Sequence, residues 1–468
     1  MKTLTLTALA LCAGLPVLAQ SPNLTLTSAN GDSSLQFYGV LDAGVARISH
    51  SATFSDMYGS TSDPRPTSLA TNSATGMING GISGPRLGFR GATAIGGDFK
   101  AVFTLEAGLN IISGQLSNGV GSIAQNIKPS GSQVIGEYPA DSSLSGQLFG
   151  RQANFGVSSP TCGTLLLGRN TSFFADIIPG YDPTNGAQFF SPIGYSGAFG
   201  GGGQTDNARV DNSLKYRVKI ADLVTLGYLH KFGGVSGDSG ARSADEFQLG
   251  AESGEFGIMF AYQNFKDATS VGAYMTDTQA TTGGTPSGGG KVTNTITNPS
   301  QVAVTFTDTK AYMLAARYKI AGIALRAGWQ HQEISDPSNP TSDATLTNIY
   351  GYLVGQVITN SLYIGNAEMT KKLDIYWIGA SYDVTDQFNV ALGYYNLHQN
   401  NFANGTNTPK DTAGTGKFSS VLLDYHFTKA FDLYAGCMAT DYSDGLEASV
   451  LPGFGSNNVT AIGARYQF

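Results

Sequence analysis

The sequence predicts an all-β chain closed into a single transmembrane antiparallel β-barrel of about sixteen strands, and three observations carry that prediction. Segments of strand length alternate apolar and polar residues with period two from Leu35 onward. Tight turns alternate with long polar connections, and the chain ends inside a strand, on an aromatic ring.

The closing strand, "VTAIGARYQF", places Ile462, Ala464, Tyr466 and Phe468 on one face and Gly463, Arg465 and Gln467 on the other. Left unpaired it would be a template for aggregation, so it needs a partner. The first strand, "SLQFYGVLDAG", is the expected one, because pairing the two ends removes both edges of the sheet. That first strand opposes Leu35, Phe37, Gly39, Leu41 and Ala43 to Gln36, Tyr38 and Asp42. The same alternation recurs in "PRLGFRGA", "DFKAVFTLEAG", "NSLKYRVK" and the later segments, each near the about 9–11 residues that cross a bilayer at a tilt.

Short turns lie at Ile95-Gly96-Gly97, Pro160-Thr161-Cys162, Ile220-Ala221-Asp222, Ser253-Gly254, Ala321-Gly322, Thr385-Asp386 and Thr428-Lys429. Long connections rich in Gly, Ser, Thr and Asn cover 49–85, 113–147, 171–207, 266–307, 334–371 and 399–415, with shorter members at 233–242 and 443–456. Short turns on one rim and long loops on the other are the pattern of an outer-membrane barrel. The segment Ile349 to Gly365 could add two strands, although a loop over the rim is the preferred reading. An Arg or Lys at bilayer mid-depth costs roughly 2–4 kcal/mol, so the apolar face points to lipid and the polar face lines a wet interior. A secreted β-sandwich fits less well, since its long loops would occur at both ends.

Residues 1–19 read as a cleaved signal peptide: Lys2, an apolar run from Leu4 to Leu11, and small residues before Gln20. The rest, 20–468, shows no composition shift and is expected to form one domain. Removal of the leader takes Cys12 with it and leaves Cys162 and Cys437, which are expected to be unpaired. A net charge of -7, with 27 Lys+Arg against 34 Asp+Glu and no basic tract, points away from nucleic acid. Mean hydropathy is -0.07, and 61 Gly, 22 Tyr and 25 Phe suit many short strands and turns.

Nothing in the pattern suggests an enzyme or a cofactor. His50, His230, His331, His398 and His426 are scattered singly with no nucleophile motif beside them. The glycine runs at 200–203 and 288–290 precede no helix as a phosphate loop requires, and no metal-ligand spacing occurs.

Taken together, "LQFYGVLDAG", "GPRLGFRGATAIGGDFKAVFTLEAGL", "LFGRQANFGVSS", "GTLLLGRN" and the terminal "ARYQF" resemble the general diffusion porins of Gram-negative outer membranes. The resemblance runs from about Leu35 to Phe468. It implies a bacterial outer-membrane channel for passive diffusion of small hydrophilic solutes and ions, assembled as a homotrimer among outer-membrane lipids. It also implies a third loop, Thr171 to Asn207, folded into the lumen, and a terminal Phe468 read by the outer-membrane assembly machinery. Gly200 to Gly203 in that loop departs from the family, and the first, second, fifth and sixth loops are longer than expected. Long loops leave open a substrate-specific or adhesive barrel as the alternative.

By the same resemblance, a basic wall of Arg86, Arg151 and Arg209 faces loop acids Asp176 and Asp182 at the pore constriction. Alternation supports Arg86 directly. Arg151 shares parity with Ala153, Phe155 and Val157, so an outward, subunit-interface position stands beside the lumenal one. Alternation also puts Arg90, Lys100, Glu106, Lys215, Arg217, Arg317 and Arg326 on the lumen side, with Asp42 either there or tying the first strand to a neighbour. Three positive groups against two negative ones lead us to expect a weak anion preference. The expected subunit contact runs from about Leu35 to Arg169, where Gly39, Ala43, Gly91, Ala101 and Ala107 let walls approach.

Overall fold

A computed structural model describes residues 24–49, 73–112, 114–116, 148–194, 208–272, 303–335, 338, 356–357, 370–401, 413–444 and 456–468. Sixteen strands form the barrel wall: β1 Ser33–Ile48, β2 Arg86–Gly96, β3 Phe99–Asn110, β4 Gln152–Ser159, β5 Gly163–Thr171, β6 Arg209–Ile220, β7 Val224–Lys231 and β8 Ala244–Ser253 complete one half. The other half is β9 Phe256–Gly272, β10 Ala303–Ile320, β11 Ile323–Ser335, β12 Lys371–Thr385, β13 Phe388–Gln399, β14 Gly414–His426, β15 Phe431–Asp444 and β16 Ser456–Gln467. Each pairs antiparallel with the next, and β16 closes on β1 from Val40↔Gln467 to Ile48↔Val459.

The last residue completes the closure. Phe468 and Gly39 exchange backbone hydrogen bonds of 2.9 and 3.1 Å, and the Phe468 ring lies 5.5 Å from Phe37 and 5.7 Å from Tyr466 between centroids. Below that point a three-residue strand, Thr25–Thr27, pairs with Ser34 to Gln36 and continues the ladder along β1. The alternation from Leu35 gave no sign of it, because it precedes the first alternating segment.

The second strand is split. Ala74–Asn79 pairs with the upper part of β1 and Arg86–Gly96 with its lower part. Between them the backbone breaks at "GGISGP", where Gly80 has φ +84 and a Cβ on Gly81 would collide with Tyr434. Asp42 holds this break. Its buried carboxylate accepts from the amides of Gly81, Ile82 and Ser83 at 3.0, 3.1 and 2.7 Å and from the Tyr434 hydroxyl at 2.6 Å. The polar residue of β1 therefore ties two strands together and is shut off from the lumen surface.

On the outer wall the apolar parity is as expected, with Phe155, Leu249, Ile378 and Ile462 among the exposed side chains. The inner wall is not uniformly polar. From β9 to β14 the inward positions Met259, Met313, Ile375, Trp377, Leu397 and Phe418 are buried and apolar, so those strands carry two greasy faces. The reason is the third loop, which lies against them.

That loop begins with a helix, α1, Phe173–Tyr181. Ser172 caps it by accepting from the Ala175 amide at 3.1 Å, and Pro179 lies within its last turn, after which the Asp182 amide bonds Ile178 O at the C-terminal end. Phe173, Phe174, Ile177, Ile178 and Tyr181 form one apolar stripe and bury it against the inner wall. Farther along, Phe190 packs with Leu422, Tyr434 and Ala461 on the opposite side, and the Phe189 amide donates to Gly81 O at 2.9 Å.

Of the segment Ile349 to Gly365, Gln356–Val357 is described and pairs in parallel with Ala303–Val304, which adds no barrel strand; the remainder lies outside the described residues. So do residues 1–19, His50 and Gly200 to Gly203. Of the small outward residues, Gly39 lies against Phe468 and Gly91 against Phe103, so their space is filled by rings of the same chain. Ala107 is buried.

Candidate pore constriction

Arg86 opens β2 and Glu106 faces it from β3, where the register pairs Arg86 with Gly108 and Gly88 with Glu106. The Glu106 carboxylate accepts from Arg151 Nε at 2.6 Å and the Tyr38 hydroxyl at 3.0 Å, and Arg86 Nε stands 3.5 Å away. Two guanidiniums thus share one buried acid, leaving a net positive charge that neither hydrogen bonding nor burial cancels. Arg86 Nη1 also donates to Gly84 O at 3.0 Å, so the strand break orients it. Arg209 begins β6 opposite Thr171, with Nη1 donating to Ala208 O at 2.8 Å.

Arg151 resolves its two readings. It precedes the first residue of β4, and its amide bonds Glu106 O at 3.0 Å, so strand parity does not govern its side chain. The guanidinium turns inward to Glu106.

The loop acids lie elsewhere than the resemblance implies. Asp182 is fully buried just past the end of α1, accepting from the Thr184 amide and hydroxyl at 3.0 and 2.8 Å and from the Gly186 amide at 2.8 Å. Its other oxygen accepts from Ser191 Oγ at 2.9 Å and the Tyr395 hydroxyl at 2.7 Å. These bonds fold the loop and pin it to β13, so Asp182 does not face the arginines. Asp176 instead bonds Lys215 Nζ and Arg217 Nη2, both at 2.6 Å, with Thr171 Oγ1 at 2.7 Å. Burial alone would raise the Asp176 carboxyl, yet Lys215 and Arg217 hold it below the ordinary carboxylate range. The acid beside Arg86 and Arg151 is therefore the wall residue Glu106.

The remaining inward charges divide by task. Lys215 is buried, donating to Thr171 O at 2.7 Å, and Arg326 donates to Gly180 O, Pro183 O and Ser381 Oγ at 3.2, 3.4 and 2.9 Å; both hold the loop. Arg317 pairs with Glu252 at 2.8 Å, and Glu252 accepts from the Tyr181 hydroxyl. Arg90 lies over the Tyr38 ring and donates to Gln36 at 2.6 Å. Lys100 is exposed.

Two functional residues were missed. Glu246, fully buried on β8, accepts from the Phe173 amide at 2.8 Å and so seats the start of α1; its inward parity in "DEFQLGAE" was the available signal. Arg169 bonds Gly150 O at 2.7 Å and pairs with Asp211, fixing the approach to Arg151. Its place beside a strand end gave no signal.

A closed barrel with an apolar outer wall, charged groups on its inner wall and a loop packed inside the lumen is the architecture of a transmembrane outer-membrane barrel. Comparisons agree. The profile of the family described as Gram-negative porin matches residues 5–445, and the chain belongs to that family. An outer membrane porin protein of Bordetella pertussis is 28% identical over 214 residues; the match spans 46% of this chain and 46% of that protein, so the chain spans about half the length of the curated relative it matches. Among solved structures, the anion-selective porin from Comamonas acidovorans superimposes with a TM-score of 0.59 at 17% identity, over 93% of this chain and all of that one (100%). OmpT of Vibrio cholerae in its trimer form gives 0.54 at 16% identity, over 93% and 99%.

Proposed function

We propose that this channel passes small hydrophilic solutes and ions by passive diffusion, with a weak anion preference set by Arg86, Arg151 and Arg209 around Glu106. The observation that carries the reading is the pair of guanidiniums sharing one carboxylate, at 2.6 and 3.5 Å. With Arg209 added, three cations stand against one acid, and charges farther than about 8–10 Å are largely screened in physiological salt. The net acidity of the whole chain then has little influence on passing ions. Similarity to an anion-selective porin is compatible with this sign.

In this reading residues 1–19 are cleaved, 20–468 form the single barrel domain, the channel does no chemistry, and three copies assemble as in the trimer form of the Vibrio relative. Phe468 acts as the assembly signal. Reversal potential in a KCl gradient across a planar bilayer tests the selectivity: a potential of the sign for anion preference is expected, and cation preference would refute it. Native mass measurement in mild detergent tests the trimer, with monomers alone counting against it.

A further inference from the structure

Inside the lumen a cavity of about 930 Å³ opens between β3, β4, β5, β6 and α1. It reaches Pro160 and Gly163 in the turn between β4 and β5, so it lies toward the rim of short turns, the periplasmic side of a barrel of this kind. Its volume falls in the range of about 300–1,000 Å³ typical of small-molecule sites. Lys100, Lys215, Arg217 and Lys219 line it together with a single acid, Asp176. Asp176 is already bonded to both Lys215 and Arg217. Among the described residues no acid pairs with Lys100 or Lys219, which approach from β3 and β6. Four cations against one acid leave three positive charges around one water-filled space.

The second lumenal cavity on this rim, about 550 Å³, is built differently. Its four cations, Arg317, Lys319, Arg326 and Arg465, are joined by acids Glu255, Asp383 and Asp424, so its charge nearly cancels. Of the two cavities, the one between β3 and β6 holds the larger excess of positive charge. Low-dielectric walls lined by one sign of charge focus the field and concentrate counter-ions.

We infer that the larger cavity is a subsite for multivalent oxyanions, phosphate-bearing solutes with two or more negative charges, held between Lys100 and Lys219 on the periplasmic side of the arginine cluster. A monovalent anion carries charge for one cation; a pyrophosphate carries enough to draw in more than one of the cations that line the cavity. This inference rests on the channel reading but not on the sign of selectivity at Arg86 and Arg209. It gives the channel a sidedness: a polyanion entering from the short-turn side reaches the subsite directly, whereas one from the long-loop side first passes the arginines.

The test is block of the KCl current by inorganic pyrophosphate added to either chamber, with protein inserted from one chamber. Block at lower concentration from the periplasmic side is expected. Lys100→Gln with Lys219→Gln is expected to raise the half-blocking concentration about tenfold. Lys310→Gln with Lys417→Gln, removing the same charge from exposed positions on the outer wall, should leave it unchanged. Equal block of wild type and the Lys100/Lys219 variant would overturn the subsite, as would a conducting channel indifferent to pyrophosphate. Equilibrium dialysis of pyrophosphate against detergent-solubilised protein needs no conduction: binding lost in the same variant supports the subsite, and equal binding overturns it. A protein that binds pyrophosphate yet passes no current would separate failure of the channel reading from failure of this one.

Discussion

The inner wall has two arcs that share one parity and differ in everything else. Along β7 to β15 the inward side chains under the third loop include Leu229, Met259, Met313, Ile375, Trp377, Tyr395 and Tyr434, while Arg317, Lys319 and Asp424 of the same arc line the cavity nearer the short turns. Along β2 to β6 they include Arg86, Arg90, Lys100, Glu106, Lys215 and Arg217, which face open lumen or the loop's charged edge. The difference teaches that "inward" is not one environment in this barrel. Where the loop removes water, inward residues are mostly apolar, and the charged ones left there, such as Glu246 and Lys215, bond the loop itself; where water remains the wall is charged. The loop therefore does two things at once: it fills one arc and leaves the passage against the other.

If that division is correct, detaching the loop should have the largest effect. Asp182→Ala removes the acceptor for Thr184, Gly186, Ser191 and Tyr395, and each buried donor left unsatisfied costs about 1–3 kcal/mol. We expect destabilisation of about 3 kcal/mol or more, read as faster proteolysis within 173–194 and a larger unit conductance. Unchanged protease resistance would show that apolar packing of α1 alone holds the loop.

Tyr395→Phe sharpens the same point with a smaller cut. It deletes one hydrogen bond to a charged acceptor, worth about 1.5–3 kcal/mol, while keeping the ring in the covered arc. Loop protection measured by amide exchange should fall without loss of the barrel. A whole-barrel drop in melting temperature would mean that the covered arc and the loop unfold as one unit.

On the open arc, Arg86→Ala with Arg209→Ala should move the zero-current potential toward cations. A unit charge at about 8 Å in water alters local ion concentration about twofold, so two charges give about fourfold. The loop attachments involve neither residue, and protease resistance should stay as in wild type. Altered conductance with unaltered selectivity would mean that these side chains act by bulk rather than by charge.

The smallest effect expected near neutrality is that of pH on Asp176, where loop and open arc meet. Its carboxyl is held below the ordinary range, so its contribution is present above the unfolded pKa of about 3.9 and is lost as pH falls through the lower folded value. Loop protection should be flat from pH 8 to about pH 5 and fall only below about pH 4. Loss of protection between pH 6 and 7 would point to another group.

How much was legible in advance differs along the chain. The strands from β1 to β6 and β16 show their period-two pattern within their own ten or so residues, which is why β1 and β16 could be matched as partners, whereas several strands between β9 and β14 are apolar on both faces. The broken second strand was visible in pieces, as "GGISGP", but not as a break held by Asp42, whose donors lie about forty residues away in the chain. Parity alone pointed Arg151 outward, against the lumenal place that the family resemblance implies, because parity applies only inside a strand and Arg151 stands one residue before β4. Asp182 misled because a loop acid gives no sign of whether it will meet water or Tyr395, more than two hundred residues on.

The sequence by itself determined the barrel, a count of about sixteen strands and its closure on Phe468, because each follows from local alternation, turn residues and the cost of a charge in lipid. Only the tertiary structure decided which arc of the lumen is dry, that Glu106 rather than a loop acid answers Arg86 and Arg151, and that Asp42 and Asp182 are buried fasteners. Those outcomes depend on which groups meet across the lumen. Desolvation and hydrogen bonding then assign each polar residue its role according to the neighbours it finds there.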